Sequence, residues 1–158
     1  MRTAQLISLI VFGFAGLALV APWLKRLGRA DALVVLLSVH VFRVVALFEI
    51  QAQHAGYPIS NIAVTEIVVG DLLGAAMALL AIVLLRARNR LGVLLSWLVI
   101  LETIADIAVG VHRKILEPLH ADVTGIMWLV LVFFVPLMLV TLPLLAWQLI
   151  ARRKAPLA

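Results

Sequence analysis

Long apolar stretches separated by short polar connections run through the whole chain. A transmembrane α-helix needs about 20 consecutive, mostly apolar residues. Five stretches meet this requirement, namely residues 3–24, 32–51, 60–85, 91–111 and 124–150. Ser60 and Asn61, residue types that cap helix N-termini, open the third stretch, and Pro118 precedes the fifth. The pattern therefore predicts an all-α fold, in which residues 1–158 form a single polytopic membrane domain with five transmembrane helices.

The composition agrees with this prediction and excludes several kinds of site. Hydrophobic residues make up 65% of the chain, against about 45–50% in a soluble domain, which indicates an integral membrane protein surrounded by the lipid bilayer. The chain has no cysteine, so disulfides, thiolate metal sites and cysteine nucleophiles are excluded. We expect no metal and no cofactor, because the spacing of His54, His112 and His120 matches no zinc pattern and His40 has no intramembrane histidine to join it on a haem.

The basic residues predict the orientation of the chain. Its formal net charge is +5, but the basic residues are dispersed in short clusters between apolar stretches, which argues against a nucleic-acid partner. Cytoplasmic loops of membrane proteins carry an excess of Lys and Arg. Five spans with the N-terminus outside and the C-terminus in the cytoplasm place three clusters in the cytoplasm: Lys25, Arg26 and Arg29; Arg86, Arg88 and Arg90; Arg152, Arg153 and Lys154.

Ionisable side chains inside the predicted spans mark the candidate functional site. A charge at the bilayer centre costs about 2.5–3.5 kcal/mol on insertion scales, so such residues are rare and usually functional. They are His40, Arg43, Glu49, Glu66, Asp71, Glu102 and Asp106. A helical rise of about 1.5 Å per residue sorts them by depth. The mid-depth group comprises His40, Arg43, Asp71 and Glu102, and the pair nearer the outer surface is Glu66 and Asp106.

Helical spacing predicts which of these side chains share a face. Glu102 and Asp106 are four residues apart and lie on one face, which we expect to meet Arg43. Glu66 and Asp71 are about 140° apart around a regular helix and cannot share a partner. Glu49 is about 120° from Arg43 and closer to the surface, so we expect it to extend to the outer interface.

Carboxylates outnumber the one arginine in this group. Arg43 cannot neutralise five acids, so we expect either that some acids are protonated at pH 7 or that a cation, or water in a cavity open to the outside, compensates them. The alternative is a buried network of salt bridges that only holds the helices together. For His40 the open roles are a hydrogen-bonded structural group, a proton shuttle and a partner of a carboxylate.

Small residues and prolines predict how the helices pack. Gly70, Gly74 and Ala78 repeat every four residues, and this face allows a close approach that favours a central third helix. Pro136 and Pro143 each leave a backbone carbonyl of the fifth helix without its usual donor. The first and fifth helices lack ionisable residues along their apolar stretches, so we expect them to form apolar walls.

Four short motifs occur in a recognisable order. They are His40-Val41-Phe42-Arg43, Gly70-Asp71, Trp97 with the later Asp106, and Val135-Pro136-Leu137. In this order the motifs resemble a family of small bacterial inner-membrane proteins with several spans and no assigned function. The resemblance covers roughly residues 38–150. It implies a location in the bacterial inner membrane and no particular chemistry.

Three functions stay open at this point. The first is binding of a small hydrophobic or lipid-like molecule, with or without acid–base conversion of it. The second is proton- or cation-coupled transport, and the third is an accessory or structural role with a membrane partner protein or a second copy of the chain. The ligand-binding or proton-relay candidates are His40, Arg43, Glu66, Asp71, Glu102 and Asp106.

Overall fold

Five long helices follow one another in the part of the chain that the structure describes. The computed structural model describes residues 2–116 and 125–157, with side chains for 3–113 and 125–157, and this part contains no strand. The helices are α1 (Arg2–Ala15, Gly16–Val20 and Ala21–Leu24), α2 (Arg29–Val41, Phe42–Ala46 and Leu47–His54), α3 (Asn61–Arg86), α4 (Leu91–Leu116) and α5 (Gly125–Leu129, Val130–Phe134 and Val135–Ala151). All five are long and apolar enough to cross a membrane, in agreement with the five stretches predicted from the sequence.

The ends of the helices agree with the predicted boundaries to within a few residues. Ser60 caps α3, because its hydroxyl accepts a hydrogen bond from the Ala63 N–H at 3.1 Å. α2 is longer at both ends than the stretch 32–51, and α4 continues beyond residue 111. The predicted break at Pro118 lies outside the described residues.

Two π-helical segments each end two residues before a proline. Gly16–Val20 precedes Pro22, and Val130–Phe134 precedes Pro136. A proline inside a helix has no N–H to donate, and its ring collides with the carbonyl four residues earlier. The wider π turn relieves both problems without ending the helix. Pro143 lies inside the final segment of α5 without such a turn.

The apolar core lies between α2, α3 and α5. α3 packs against both α2 and α4, as expected for a central helix, and α5 packs against α1 and α2. Fully buried leucines and alanines fill the space between them, for example Leu33, Leu37, Ala78, Ala81 and Leu145. The outward side of α1 carries exposed Ile10, Phe14 and Leu17, so α1 matches the expected apolar wall facing lipid.

One end of the bundle gathers the three basic clusters. Arg152 donates to the carbonyls of Leu24 (3.4 Å) and Leu27 (2.9 Å), which ties the end of α5 to the end of α1. Arg29 donates to the carbonyls of Arg153 and Ala155, and Arg88 donates to a carbonyl in the same C-terminal segment. The clusters therefore share one end, as the predicted topology requires.

Candidate functional site

Arg43 is the centre of the buried polar cluster. Its side chain is 0% exposed, and its Nε donates to Asp71 Oδ1 at 2.7 Å. Nη1 donates to Glu102 Oε2 and to Thr103 Oγ1 (3.0 Å), and Nη2 donates to Glu102 Oε1 (3.2 Å) and Asp106 Oδ2 (2.9 Å). A guanidinium has five N–H donors, and these contacts account for all of them. Arg43 therefore has no donor left for a ligand.

The face of α4 that meets Arg43 is the face that the sequence predicts. Glu102 and Asp106, one turn apart, both bind the guanidinium. Asp106 joins this cluster although its predicted depth groups it with Glu66, because the guanidinium lies at the end of a long side chain and one helical turn is only about 5.4 Å. Thr103 is an additional member of the cluster that the sequence pattern does not predict, and its hydroxyl accepts from Arg43 and donates to the Val99 carbonyl at 2.7 Å. Its position beside Glu102 was the available signal.

Two glycines of α3 make room for the ion cluster. A Cβ on Gly74 would collide with Arg43 Nη1 and would lie 2.6 Å from Glu102 Oε2. A Cβ on Gly70 would collide with Asp106 Oδ1. The small-residue face of α3 therefore does more than allow close helix packing, since it leaves the space that the guanidinium and the carboxylates of α4 occupy.

Glu66 belongs to a separate ion pair. Its carboxylate accepts from Arg113 Nε at 2.5 Å and also from Arg113 Nη2, and both side chains are partly exposed. As the helical spacing predicts, Glu66 and Asp71 have different partners. Glu66 and Asp106, grouped by their predicted depth, line one groove but have different ion-pair partners, because α4 extends beyond its predicted end and carries Arg113 alongside the start of α3. Glu66 thus contributes no surplus charge to the Arg43 cluster.

Glu49 is buried, and its expected extension to the membrane surface is wrong. The residue is 4% exposed, and its Oε2 has no hydrogen-bond partner in the part of the chain that the structure describes. The cause is the 3₁₀ segment Phe42–Ala46. A 3₁₀ helix turns about 120° per residue and an α-helix about 100°, so this segment brings Glu49 to roughly 40° from Arg43 instead of 120°.

His40 is a buried hydrogen-bonded group beside the cluster. Its Nε2 lies 3.2 Å from Thr141 Oγ1, and that hydroxyl donates to the Met138 carbonyl at 2.8 Å. The hydroxyl therefore accepts from His40, which assigns the imidazole proton to Nε2. This contact agrees with one of the roles predicted for His40, that of a hydrogen-bonded structural group. Within the described ranges, His40 forms no hydrogen bond with a carboxylate.

An internal cavity lies next to the cluster. Its volume is about 240 Å³, and residues from all five helices line it. Three carboxylates contribute to the lining, from Glu49, Asp71 and Asp106. Most of the other lining residues are apolar, including Val45, Ile67, Ile107, Phe134 and Met138. The cavity thus combines an apolar wall with an acidic patch.

An open groove lies on the other side of the cluster, between α3 and α4. Its volume is about 930 Å³, and it contains the Glu66–Arg113 pair, Glu102 and His112. Asp106 lines both the groove and the internal cavity. The groove runs along the start of α3 and the end of α4, away from the end with the basic clusters. Asp106 therefore borders both the groove and the cavity.

The structure has the predicted surplus of carboxylates around Arg43, but with four acids instead of five, because Glu66 is paired with Arg113. Arg43 faces Asp71, Glu102 and Asp106, and Glu49 lies beside the same cavity without an ion-pair partner among the described residues. Four carboxylates against one guanidinium leave three negative charges in excess if all are ionised. Across residues 2–116 and 125–157, no group of three or more His, Asp or Glu side chains is placed to hold a metal ion. Asp122, His120 and Glu117 lie outside these ranges.

Comparisons with known proteins give a family without an assigned activity. The family model described as a domain of unknown function, DUF8737, matches residues 1–150. No curated protein and no solved structure matches the chain. The match agrees with the expected membership of an uncharacterised family. Because the family model covers residues 1–150 of the 158-residue chain, the chain belongs to the DUF8737 family.

Proposed function

We propose that this membrane protein binds a small hydrophobic molecule bearing a cationic group, such as an amine, in its internal cavity. The proposal rests on Glu49, which is buried beside the cavity and whose Oε2 has no hydrogen-bond partner among the described residues. An unpartnered buried carboxylate oxygen is costly, and a bound cation would satisfy it. Binding sites for small molecules are typically apolar cavities with a few polar groups that fix orientation, and this cavity has that character.

The charge of the site selects the ligand class. Asp71 and Asp106 line the cavity with Glu49, whereas Arg43 uses all five of its donors on the cluster. An anionic ligand would meet three carboxylates and no available cation. A hydrophobic cation would meet complementary charge at one side and apolar side chains at the other. The carboxylates are also compatible with isomerisation or another acid–base conversion of such a ligand. Binding alone, however, accounts for the geometry of the site.

The same proposal includes the location of the chain. The three basic clusters share one end of the bundle, and the positive-inside rule assigns that end to the cytoplasm. We infer a single membrane domain over residues 1–158, with the N-terminus outside and the C-terminus inside. The resemblance to small bacterial proteins supports the bacterial inner membrane. The groove between α3 and α4 then opens toward the outer half of the bilayer.

A Glu49→Gln variant tests the proposal with a matched control. We expect the purified wild type to bind hexylammonium and Glu49→Gln to bind it about tenfold more weakly, since charge-assisted contacts are roughly twice as strong as neutral ones. Glu66→Gln makes the same chemical change at a carboxylate that is paired with Arg113 and does not line the cavity, so it should bind like the wild type. Native mass spectrometry with increasing hexylammonium measures the occupancy and also detects any molecule retained during purification.

Two results would overturn this function. Equal occupancy in the wild type and Glu49→Gln would mean that the cavity does not recognise the cation. A chain that unfolds when purified alone and is stable only with another membrane protein would indicate an accessory subunit.

Proton- or cation-coupled transport is a second candidate, favoured by the position of Asp106. Asp106 lines both the open groove and the internal cavity, so a proton could pass between these two spaces through its carboxylate. Intramembrane acids commonly form proton relays in transporters. Proton flux into proteoliposomes that Asp106→Asn abolishes would favour transport, whereas hexylammonium binding without flux would favour binding alone.

A further inference from the structure

A second cavity lies at the basic end of the bundle, far along α3 and α4 from the Arg43 cluster. Its volume is about 980 Å³. Five basic side chains line it, from Arg29, Arg88, Arg90, Arg153 and Lys154. Its lining includes no acidic residue, and none of these five forms an ion pair within the described residues. The positive-inside rule explains why the loops at this end are basic. It does not explain why side chains from three separate basic clusters line one cavity.

Arg29 shows that the cavity is built into the fold. The residue is 8% exposed at the start of α2, and its Nη1 donates to the carbonyls of Arg153 (3.3 Å) and Ala155 (3.1 Å). Its Nε is buried and has no partner among residues 2–116 and 125–157. A buried guanidinium with an unused donor and no counter-ion is costly. An anion in the cavity would supply the missing charge and acceptor.

The apolar side of the cavity indicates where the rest of the ligand lies. Val93, Leu94 and Trp97 of α4 line the cavity beside the basic residues. Leu94, Leu98 and Leu101 are four and then three residues apart, and all three are exposed. They form one continuous apolar stripe that leads from the cavity along the lipid-facing side of α4. A free anion would make no use of this stripe, whereas an acyl chain would lie along it.

We propose that this cavity binds the phosphate headgroup of an anionic phospholipid, with an acyl chain along the α4 stripe. Basic pockets between transmembrane helices on the cytoplasmic side are a known way to hold anionic headgroups. Arginine suits phosphate because its planar guanidinium donates two parallel hydrogen bonds to phosphate oxygens. The site is independent of the Arg43 cluster, and its occupancy does not depend on the ligand of the internal cavity.

The test uses the full chain and two double variants with the same loss of charge. The cavity variant, Arg88→Gln with Arg90→Gln, loses two exposed basic residues that line the cavity. The control variant, Arg26→Gln with Arg86→Gln, loses two exposed basic residues at the same end of the bundle that do not line it. Native mass spectrometry in neutral detergent measures adducts of phosphatidylglycerol, of phosphatidylcholine and of inorganic phosphate. We expect the wild type to bind phosphatidylglycerol in preference to the other two, and the cavity variant to lose about tenfold or more of this affinity. The control variant should stay within about twofold of the wild type.

Three outcomes would contradict the lipid site. An equal loss in both double variants would mean a diffuse attraction to surface charge. No loss in either would mean that the cavity does not bind the headgroup. Inorganic phosphate that binds as tightly as phosphatidylglycerol, and with the same dependence on Arg88 and Arg90, would assign the cavity to a free anion. Thermal unfolding of each variant in lipid-free micelles checks that a loss of binding is not a loss of folding.

Discussion

Replacing Arg43 by glutamine is expected to destabilise the folded protein by about 3–5 kcal/mol, the usual cost of removing one partner of a buried ion pair. The guanidinium binds Asp71, Glu102 and Asp106 and is itself fully buried. Its loss leaves three carboxylates close together without a counter-charge. Reversible unfolding in mixed detergent micelles, followed by tryptophan fluorescence, measures the change in the free energy of unfolding.

Two further variants separate charge from packing. Adding Asp71→Asn to Arg43→Gln removes one of the unpaired carboxylates, so we expect part of the lost stability to return. Arg113→Gln breaks the partly exposed pair with Glu66 and should have a much smaller effect than Arg43→Gln. If Arg43→Gln is no more destabilising than Arg113→Gln, or if Asp71→Asn gives no recovery, then Arg43 does not organise the cluster electrostatically.

Gly74→Ala is the second substitution with a large expected effect. A single Cβ at this position would collide with Arg43 Nη1. A free arginine side chain would move aside, but this guanidinium is held by its five hydrogen bonds. We therefore expect a loss of about 1–3 kcal/mol, as for overpacking a filled core. The same unfolding measurement in micelles provides the value.

Gly13→Ala is the matched control for this substitution. Gly13 lies in α1, and a Cβ there would meet nothing within 4 Å. Alanine has a higher helix propensity than glycine by about 1 kcal/mol, so this variant should be as stable as the wild type or slightly more stable. A Gly74→Ala protein that unfolds like Gly13→Ala would show that the space beside Gly74 is not filled by Arg43.

The sequence was sufficient for the features that depend on hydropathy and regular helical spacing. Five spans are visible because each apolar stretch is long enough to cross the bilayer and ends at polar or capping residues. Glu102 and Asp106 were correctly placed on the face that meets Arg43, because α4 is regular between them. The small-residue face of α3 was also predictable from the sequence. That this face leaves space for the Arg43 guanidinium and its carboxylates, and not only for a neighbouring helix, was not predictable.

The errors arise where local geometry departs from a regular helix or where a boundary is misplaced. Glu49 was assigned to the surface because 100° per residue was assumed across Phe42–Ala46, whose 3₁₀ geometry rotates the following residues inward. The Glu66–Arg113 pair does not follow from the predicted spans, because α4 continues beyond residue 111 and so carries Arg113. The basic cavity was not predicted, since it depends on how three distant clusters meet at one end of the bundle.

We infer that surplus carboxylates beside Arg43 make the internal cavity a site for a hydrophobic cation. An experimental structure of the protein with hexylammonium tests this claim most directly. We expect the alkyl chain to lie inside the cavity against Phe134 and Met138. The ammonium nitrogen should lie within hydrogen-bond distance of Glu49, with Asp71 or Asp106 nearby. An empty cavity at saturating hexylammonium, or a ligand bound only in the groove beside Glu66, would contradict it.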